Sequence, residues 1–353
     1  MGSLRQADRG GPAQPLLIAK GLKKHFPIRS GFFGKTRRVH AVDGISFEVA
    51  KGETLGIVGE SGCGKSTTSR LLLHLTPPDD GEIIFDGDLV GAGGISVREM
   101  RRSAQMVFQD SFTSLNPRSR ILDIVMFPLR ASKADARSSL SRARFLLNRV
   151  GLDPDRFGDR FPHELSGGQR QRVNIARALA TSPRLVILDE AVSALDKSIE
   201  AEVINLLDDL KSELGLTYLF ISHDLHVVRH VSDRVMVMYL GQVVEIGEAE
   251  ALYERPMHPY TRSLLSAMPS MDPDKRTETA PLAGDPPNPV DPAPGCRFRP
   301  RCPFAEEVCI QQDPALINAK SSLAACHMCN LISGHSKAAD WLKQTRTDEM
   351  ADA

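Results

Sequence analysis

The run Gly59-Glu60-Ser61-Gly62-Cys63-Gly64-Lys65-Ser66-Thr67, which reads G-x-x-x-x-G-K-S, constrains this chain more than any other stretch. It follows a short apolar segment, Thr54-Leu55-Gly56-Ile57-Val58. After it, Ser66 to Leu75 has helical spacing, with Leu71, Leu72 and Leu75 along one face. Strand, glycine-rich loop and helix in that order make a phosphate cradle. The glycines let successive backbone N–H groups turn inward, and the helix N-terminus adds the positive end of its dipole. In such a cradle Lys65 neutralises the β- and γ-phosphates of a nucleotide, and the Ser66 hydroxyl takes a Mg²⁺ site. Cys63 stands at a position the pattern leaves open and reads as a packing thiol.

Four further stretches follow in order. Leu165-Ser166-Gly167-Gly168-Gln169-Arg170-Gln171-Arg172 precedes an apolar helix, Val173 to Ala180. Leu185-Val186-Ile187-Leu188-Asp189-Glu190 is an apolar strand ending in two acids. Then come Ser193-Ala194-Leu195-Asp196 and Ile221-Ser222-His223-Asp224. With these five motifs in register, the chain resembles the ATP-binding subunits of ABC transporters, where the four are the signature, Walker B, D-loop and switch-histidine motifs.

The resemblance implies an α/β fold: an ABC-type P-loop NTPase core with an antiparallel β subdomain and a helical subdomain. It also implies roles. Asp189 holds Mg²⁺ through water, and Glu190 orients or deprotonates the attacking water. His223 bonds the γ-phosphate or that water. Gln109, closing the strand Met106-Val107-Phe108-Gln109, contacts Mg²⁺ or the water and hinges toward a membrane partner. Phe26 stacks on adenine, and Asp196 joins the nucleotide-binding set. Ser166, Gly167, Gly168 and Gln169 aim helix N-terminal amides at the nucleotide of an opposite subunit. Without the resemblance, Phe26 packs in its strand, Gln109 is an exposed strand-end amide, Ser166 is a helix cap, and the paired acids are solvated.

Composition narrows the field. Lys+Arg and Asp+Glu both total 44, so whole-chain charge offers no support for a nucleic-acid partner. A hydrophobic content of 41% suffices for a globular core. No apolar run approaches the roughly 18 residues of a membrane span, and no basic-then-apolar leader opens the chain. These features read as a soluble protein that touches a membrane only through partners, and the resemblance implies a peripheral subunit at the cytoplasmic face of the cell membrane.

Residues 1–14 read as a disordered leader and 15–247 as the nucleotide-binding domain, with the helical subdomain at about 112–180. A helical connector spans 248–269, broken at Pro256 and Pro259. A Pro-rich linker spans 270–295, a cysteine motif 296–330 and a tail 331–353. The basic run Lys35-Thr36-Arg37-Arg38 reads as a solvated loop.

Five of the six cysteines fall between Cys296 and Cys329, spaced C-x5-C-x6-C-x16-C-x2-C. Four thiolates could bind zinc or an iron–sulfur cluster, or stay unligated. Arg297, Arg299 and Arg301 would favour thiolate. The stretch resembles the C-terminal extension of ATPase subunits from dipeptide and oligopeptide importers. That resemblance implies a 4Fe–4S cluster on Cys296, Cys302, Cys309 and Cys326, with Cys329 as an extra thiol.

The expected function is ATP hydrolysis driving uptake of dipeptides or oligopeptides, with ATP and Mg²⁺ as cofactors. Partners are a second ATPase subunit, two transmembrane permeases and an extracytoplasmic peptide-binding protein. The alternatives are nickel or another small solute on the same machinery, and a soluble ABC switch in repair or translation.

Overall fold

Three five-residue segments, β3 (Thr54–Val58), β7 (Leu185–Asp189) and β8 (Thr217–Ile221), are buried at every position. Only the centre of a sheet covered on both faces accommodates such runs. In the computed structural model, which describes residues 14–29, 36–91, 93–110, 112–268 and 288–347, they lie side by side in an eight-stranded sheet. Its other members are β6 (Ala104–Val107), β9 (Arg234–Tyr239), β10 (Gln242–Glu248), β11 (Ile317–Asn318) and β12 (Ser322–Ala324). The order is β11-β12-β10-β9-β3-β8-β7-β6, parallel from β9 to β6 and antiparallel at the other end. The leader apart from its last residue, Lys35, position 111 and most of the expected linker lie outside the described residues, as do positions 348–353.

A second, antiparallel sheet has the order β2-β1-β4-β5, from β1 (Leu17–Arg29), β2 (Thr36–Val49), β4 (Asp80–Phe85) and β5 (Asp88–Leu89). Along β7 the side chains alternate. Leu185 and Ile187 join the core shared with the antiparallel sheet and with Leu71 and Leu72 of α1 (Lys65–Leu72). Val186 and Leu188 face the helices instead.

A short helix, α2 (Val97–Ser103), precedes β6. The helical layer is α3 (Ile121–Ala131), α4 (Ala136–Arg149) and α6 (Gly167–Ala178), and another short helix, α5 (Pro154–Phe157), lies within it between α4 and α6. Ile121, Ile124, Val125, Ala143, Leu146, Leu147 and Val173 close its core, each 5% exposed or less. α7 (Lys197–Leu214) and α8 (Leu225–Val231) cover the same face of the sheet. Among the described residues no helix is long and apolar enough to cross a membrane.

The C-terminal region builds directly onto this frame. α9 (Ala249–Glu254) and α10 (Pro259–Ser266) follow β10, and α11 (Glu307–Gln311) and α12 (Ala338–Thr347) come later. Pro259, expected to break helical material, instead starts α10 at its first turn, where a missing N–H costs nothing. β12 pairs with β10 through Glu245↔Ala324, so the region adds two strands to the central sheet. Glu245 is fully buried; it accepts Met257 N–H (2.8 Å), His258 N–H (2.9 Å) and Ser322 Oγ–H (2.6 Å). One carboxylate thus ties together β10, the start of α10 and β12, and its burial raises its pKa.

His258 caps α10 by accepting Tyr260 N–H (3.0 Å) and is buried; burial holds its pKa down at about 3. Below pH 6.5 the unfolded chain takes up a proton that the folded imidazole refuses, so this group costs stability as pH falls from about 6.5 toward 3. Glu245 titrates with the opposite sign, so the informative comparison changes His258 alone. His258→Asn keeps a cap acceptor and should soften the loss of unfolding free energy between pH 6.5 and 5 by about 2 kcal/mol. Equal acid sensitivity of the two proteins in denaturant melts would clear His258 of this effect.

Candidate nucleotide site

The phosphate loop runs from the end of β3 into α1. Gly64, at the helix cap, has φ 110°, and a Cβ there would stand 2.3 Å from Ala41 O, so glycine is required twice over. Lys65 is 6% exposed, and its Nζ donates to Gly59 O (2.7 Å) and Glu60 O (3.1 Å), curling along the loop. Ser61 and Gly62 are exposed, and Ser66 and Thr67 half-buried, at the mouth. Cys63 is buried, and burial raises its pKa; Cys63 O accepts Gly241 N–H (2.8 Å). This suits a packing thiol.

The acids at the end of β7 separate. Asp189 turns to α1 and accepts from Ser66 Oγ (3.1 Å) and Ser69 Oγ (3.4 Å). Burial raises its pKa, the Ser66 bond opposes the rise, and the Glu190 charge adds to it. Glu190 leaves the strand with φ 49°, a left-handed turn that costs a non-glycine residue roughly 1–3 kcal/mol. Its Oε2 accepts from Gln109 Nε2 at 2.7 Å and lies 3.6 Å from His223 Nδ1. Gln109, Glu190 and His223, expected from three separate motifs, therefore meet at one sheet edge, where parallel sheets present ligand sites.

Of the remaining expected residues, Ser166, Asp196 and Phe26 are exposed, Gly167 and Gln169 half-buried and Gly168 buried. Ser166 caps α6 reciprocally with Gln169: Gln169 N–H donates to Ser166 Oγ (3.3 Å) and Ser166 N–H to Gln169 Oε1 (3.0 Å). A Cβ on Gly168 would meet Ile199 Cγ2 at 2.5 Å, whereas Gly167 has its nearest such neighbour, Leu195 Cδ2, at 3.8 Å. Packing against α7 therefore demands glycine at 168. Asp196 is exposed and starts α7 without a side-chain cap bond. Phe26 is 39% exposed on β1, with Lys24 Nζ 5.7 Å from its ring centre.

Two residues at the loop escape sequence reasoning. Tyr260 Oη accepts Glu60 N–H (3.0 Å), and Arg301 binds the Glu60 carboxylate with both terminal nitrogens (2.8 and 3.0 Å). Opposite charges 241 positions apart carry no local signal.

The iron–sulfur expectation needs correction. Cys296, Cys302, Cys309 and Cys326 do line one pocket, but it is a cavity of about 10 Å³, at the lower limit for a single water. Burial pushes Cys296 up to about 12 and Cys302 up to about 11, and raises Cys309. A hydrogen bond with Cys329, then burial, raises Cys326. Two of the arginines expected to favour thiolate are engaged elsewhere, Arg297 on Asp43 and Leu240 O and Arg301 on Glu60. Arg299 binds Pro294 O and Cys296 O, and its charge opposes the rise that burial causes at Cys309. In this fold the four sulfurs close on a space that holds at most about one water, and the matching family and relatives are described as ABC-transporter and ATP-binding transport proteins.

Residues 42–193 match the family model described as ABC transporter, and 244–309 match the oligopeptide/dipeptide transporter C-terminal region. The oligopeptide transport ATP-binding protein AppF of Bacillus subtilis is 49% identical over 322 residues, covering 89% of this chain and 98% of AppF. The dipeptide transport ATP-binding protein DppF of Haemophilus influenzae is 47% identical over 315 residues, 88% of this chain and 96% of DppF. Among solved structures, CbiO1 of Clostridium perfringens aligns with a TM-score of 0.59 at 29% identity, over 68% of this chain and 91% of CbiO1. The ATP-binding cassette MJ0796, a dimer bound to ADP and Pi, aligns at 0.57 and 29%, over 66% of this chain and 98% of its own. The chain belongs to the ABC-transporter ATP-binding proteins that carry the oligopeptide/dipeptide transporter C-terminal region.

Proposed function

We propose that this chain is the ATP-hydrolysing subunit that drives uptake of dipeptides or oligopeptides across the cytoplasmic membrane. The carrying observation is the separation of the two acids of β7: Asp189 goes to Ser66, Glu190 to Gln109 and His223, beside one amide-lined loop. The names of AppF and DppF, proteins of oligopeptide and dipeptide transport, support the substrate class.

Ser66, Asp189 and Gln109 offer the oxygen donors that a hard cation such as Mg²⁺ takes, and the ion would neutralise phosphate charge there. Lys65 and the loop amides hold the triphosphate, Glu190 accepts a proton from the attacking water, and Gln109 and His223 keep that carboxylate in place. Exposed Ser166 at the start of α6 and exposed Asp196 at the start of α7 suit a seam with a second ATPase subunit, arranged head to tail; a heterodimer is our reading. Residues 15–247 act as the nucleotide-binding unit, with 112–180 as its helical part.

Two permeases and an external peptide-binding protein complete the assembly, with this chain peripheral on the cytoplasmic side. A groove of about 280 Å³ beside Gln109 supports the permease contact: Leu75, Met106, Phe108, Phe127 and Pro128 line it, and Phe127 is 68% exposed.

Glu190→Gln should retain ATP while turnover drops at least ~100-fold, and cells carrying it should lose accumulation of a labelled dipeptide but not of labelled nickel. Loss of nickel uptake alone would move the substrate assignment. Phe127→Asp should leave ATP binding unchanged yet abolish co-isolation with the membrane subunits; undiminished co-isolation would remove the groove from the interface.

A further inference from the structure

The C-terminal region reaches the phosphate loop at one point. Glu60, second residue of that loop, is held at both ends by residues from beyond position 255: Tyr260 Oη takes its N–H, and Arg301 takes both carboxylate oxygens. The Arg301 side chain is 5% exposed and that of Glu60 24%, so water screens the pair only partly.

Arg301 is itself firmly placed. It closes a short turn in which its N–H donates to Phe298 O (2.9 Å) and Cys302 N–H to Arg299 O (3.2 Å). Phe298, 1% exposed, packs edge-on against Tyr239 (ring centres 5.4 Å) and against Tyr260 (5.5 Å). The guanidinium is thus built into an aromatic floor beneath the loop. Its planar fork matches a carboxylate as an ammonium cannot.

A carboxylate in a phosphate loop poses an electrostatic problem. The loop gathers N–H groups and Lys65 around an incoming polyanion, while Glu60 adds a like charge to that cradle. We infer that Arg301 is a positioning residue for nucleotide binding, neutralising Glu60 and turning its carboxylate away from the cradle so that the C-terminal region sets the affinity of the loop for ATP. This rests on the nucleotide reading given above. It assigns the C-terminal region a part in ATP binding separate from any part in transport specificity.

The test uses the full-length chain, with ATP affinity measured by equilibrium titration and ATPase kinetics measured in the assembled transporter. Arg301→Met should weaken ATP binding about tenfold, raising KM with kcat little changed, because the repulsion acts on bound nucleotide before and during chemistry alike. Arg301→Lys should recover only part of the loss, because it restores the charge but not the two-point hold on the carboxylate. The deciding variant is Glu60→Gln placed in Arg301→Met: removing the exposed charge should return ATP affinity to within about twofold of wild type.

A merely structural role for Arg301 would give no such rescue, and its absence overturns the inference. Should Arg301→Met fail to fold, Glu60→Gln alone decides. Affinity equal to or tighter than wild type supports the inference, and affinity as weak as expected for Arg301→Met overturns it. If the wild-type chain binds no ATP in a Lys65-dependent manner, the nucleotide reading falls and this inference with it. Normal Lys65-dependent binding in the wild-type chain, with no rescue in the double variant, sinks this inference alone.

Discussion

The rest of the structure depends on parallel strands being buried on both faces. β3 and β7 have no exposed residue, so every polar group they carry must sit at an end. Their C-terminal ends open on one edge of the sheet, as parallel strands require, and there the Ser66 hydroxyl at the end of the phosphate loop meets Asp189, with Glu190 beside it. The left-handed turn at Glu190 is strained, and the strain has a use: it points one carboxylate away from its neighbour, toward Gln109 and His223. Two like charges on adjacent residues are thereby given separate partners.

The C-terminal third is a structural part of the nucleotide unit. Glu245 is buried on β10 and bonded to the start of α10 and to β12, so one carboxylate fastens the region to the central sheet. Its outer part has a small core of its own, where Trp341 Nε1 donates to Met257 O (3.1 Å) and Met328 and Cys329 are buried. A second tie runs to the antiparallel sheet through Asp43. Burial alone would raise this carboxyl, but the imidazoles of His40 and His25 and the guanidinium of Arg297 bring it down to about 2. The appendage is therefore part of the central sheet and tied by side chains to the antiparallel one.

Much of the site was legible because its chemistry is local in sequence. A phosphate loop needs glycines at fixed offsets and an adjoining helix, and the pattern from Gly59 to Thr67 states both. The apolar run before Asp189 announced a central strand, and Gly168 announced a close approach. The approach in this chain is to Ile199 of the same chain, a partner that no spacing reveals. The cysteine region shows where such reading stops. Arg297, Arg299 and Arg301 alternate beside Cys296 and Cys302 and suggest charge balance for thiolates. In the fold Arg297 and Arg301 turn to Asp43 and Glu60, more than two hundred residues away, and of the three arginines only Arg299 stays beside the sulfurs. Adjacency along a chain does not determine where a long, flexible cation finds its counter-charge.

By itself, the sequence determined the α/β class, the nucleotide loop, the paired acids and the family, since each is written in short-range periodicity or spacing. Tertiary structure alone decided which way each acid turns, that Pro259 starts a helix, that the cysteine region extends the central sheet, and that Arg301 reaches Glu60. These outcomes depend on which buried charges and polar groups find partners across the fold, and that pairing is settled only when distant segments compete for the same desolvated space.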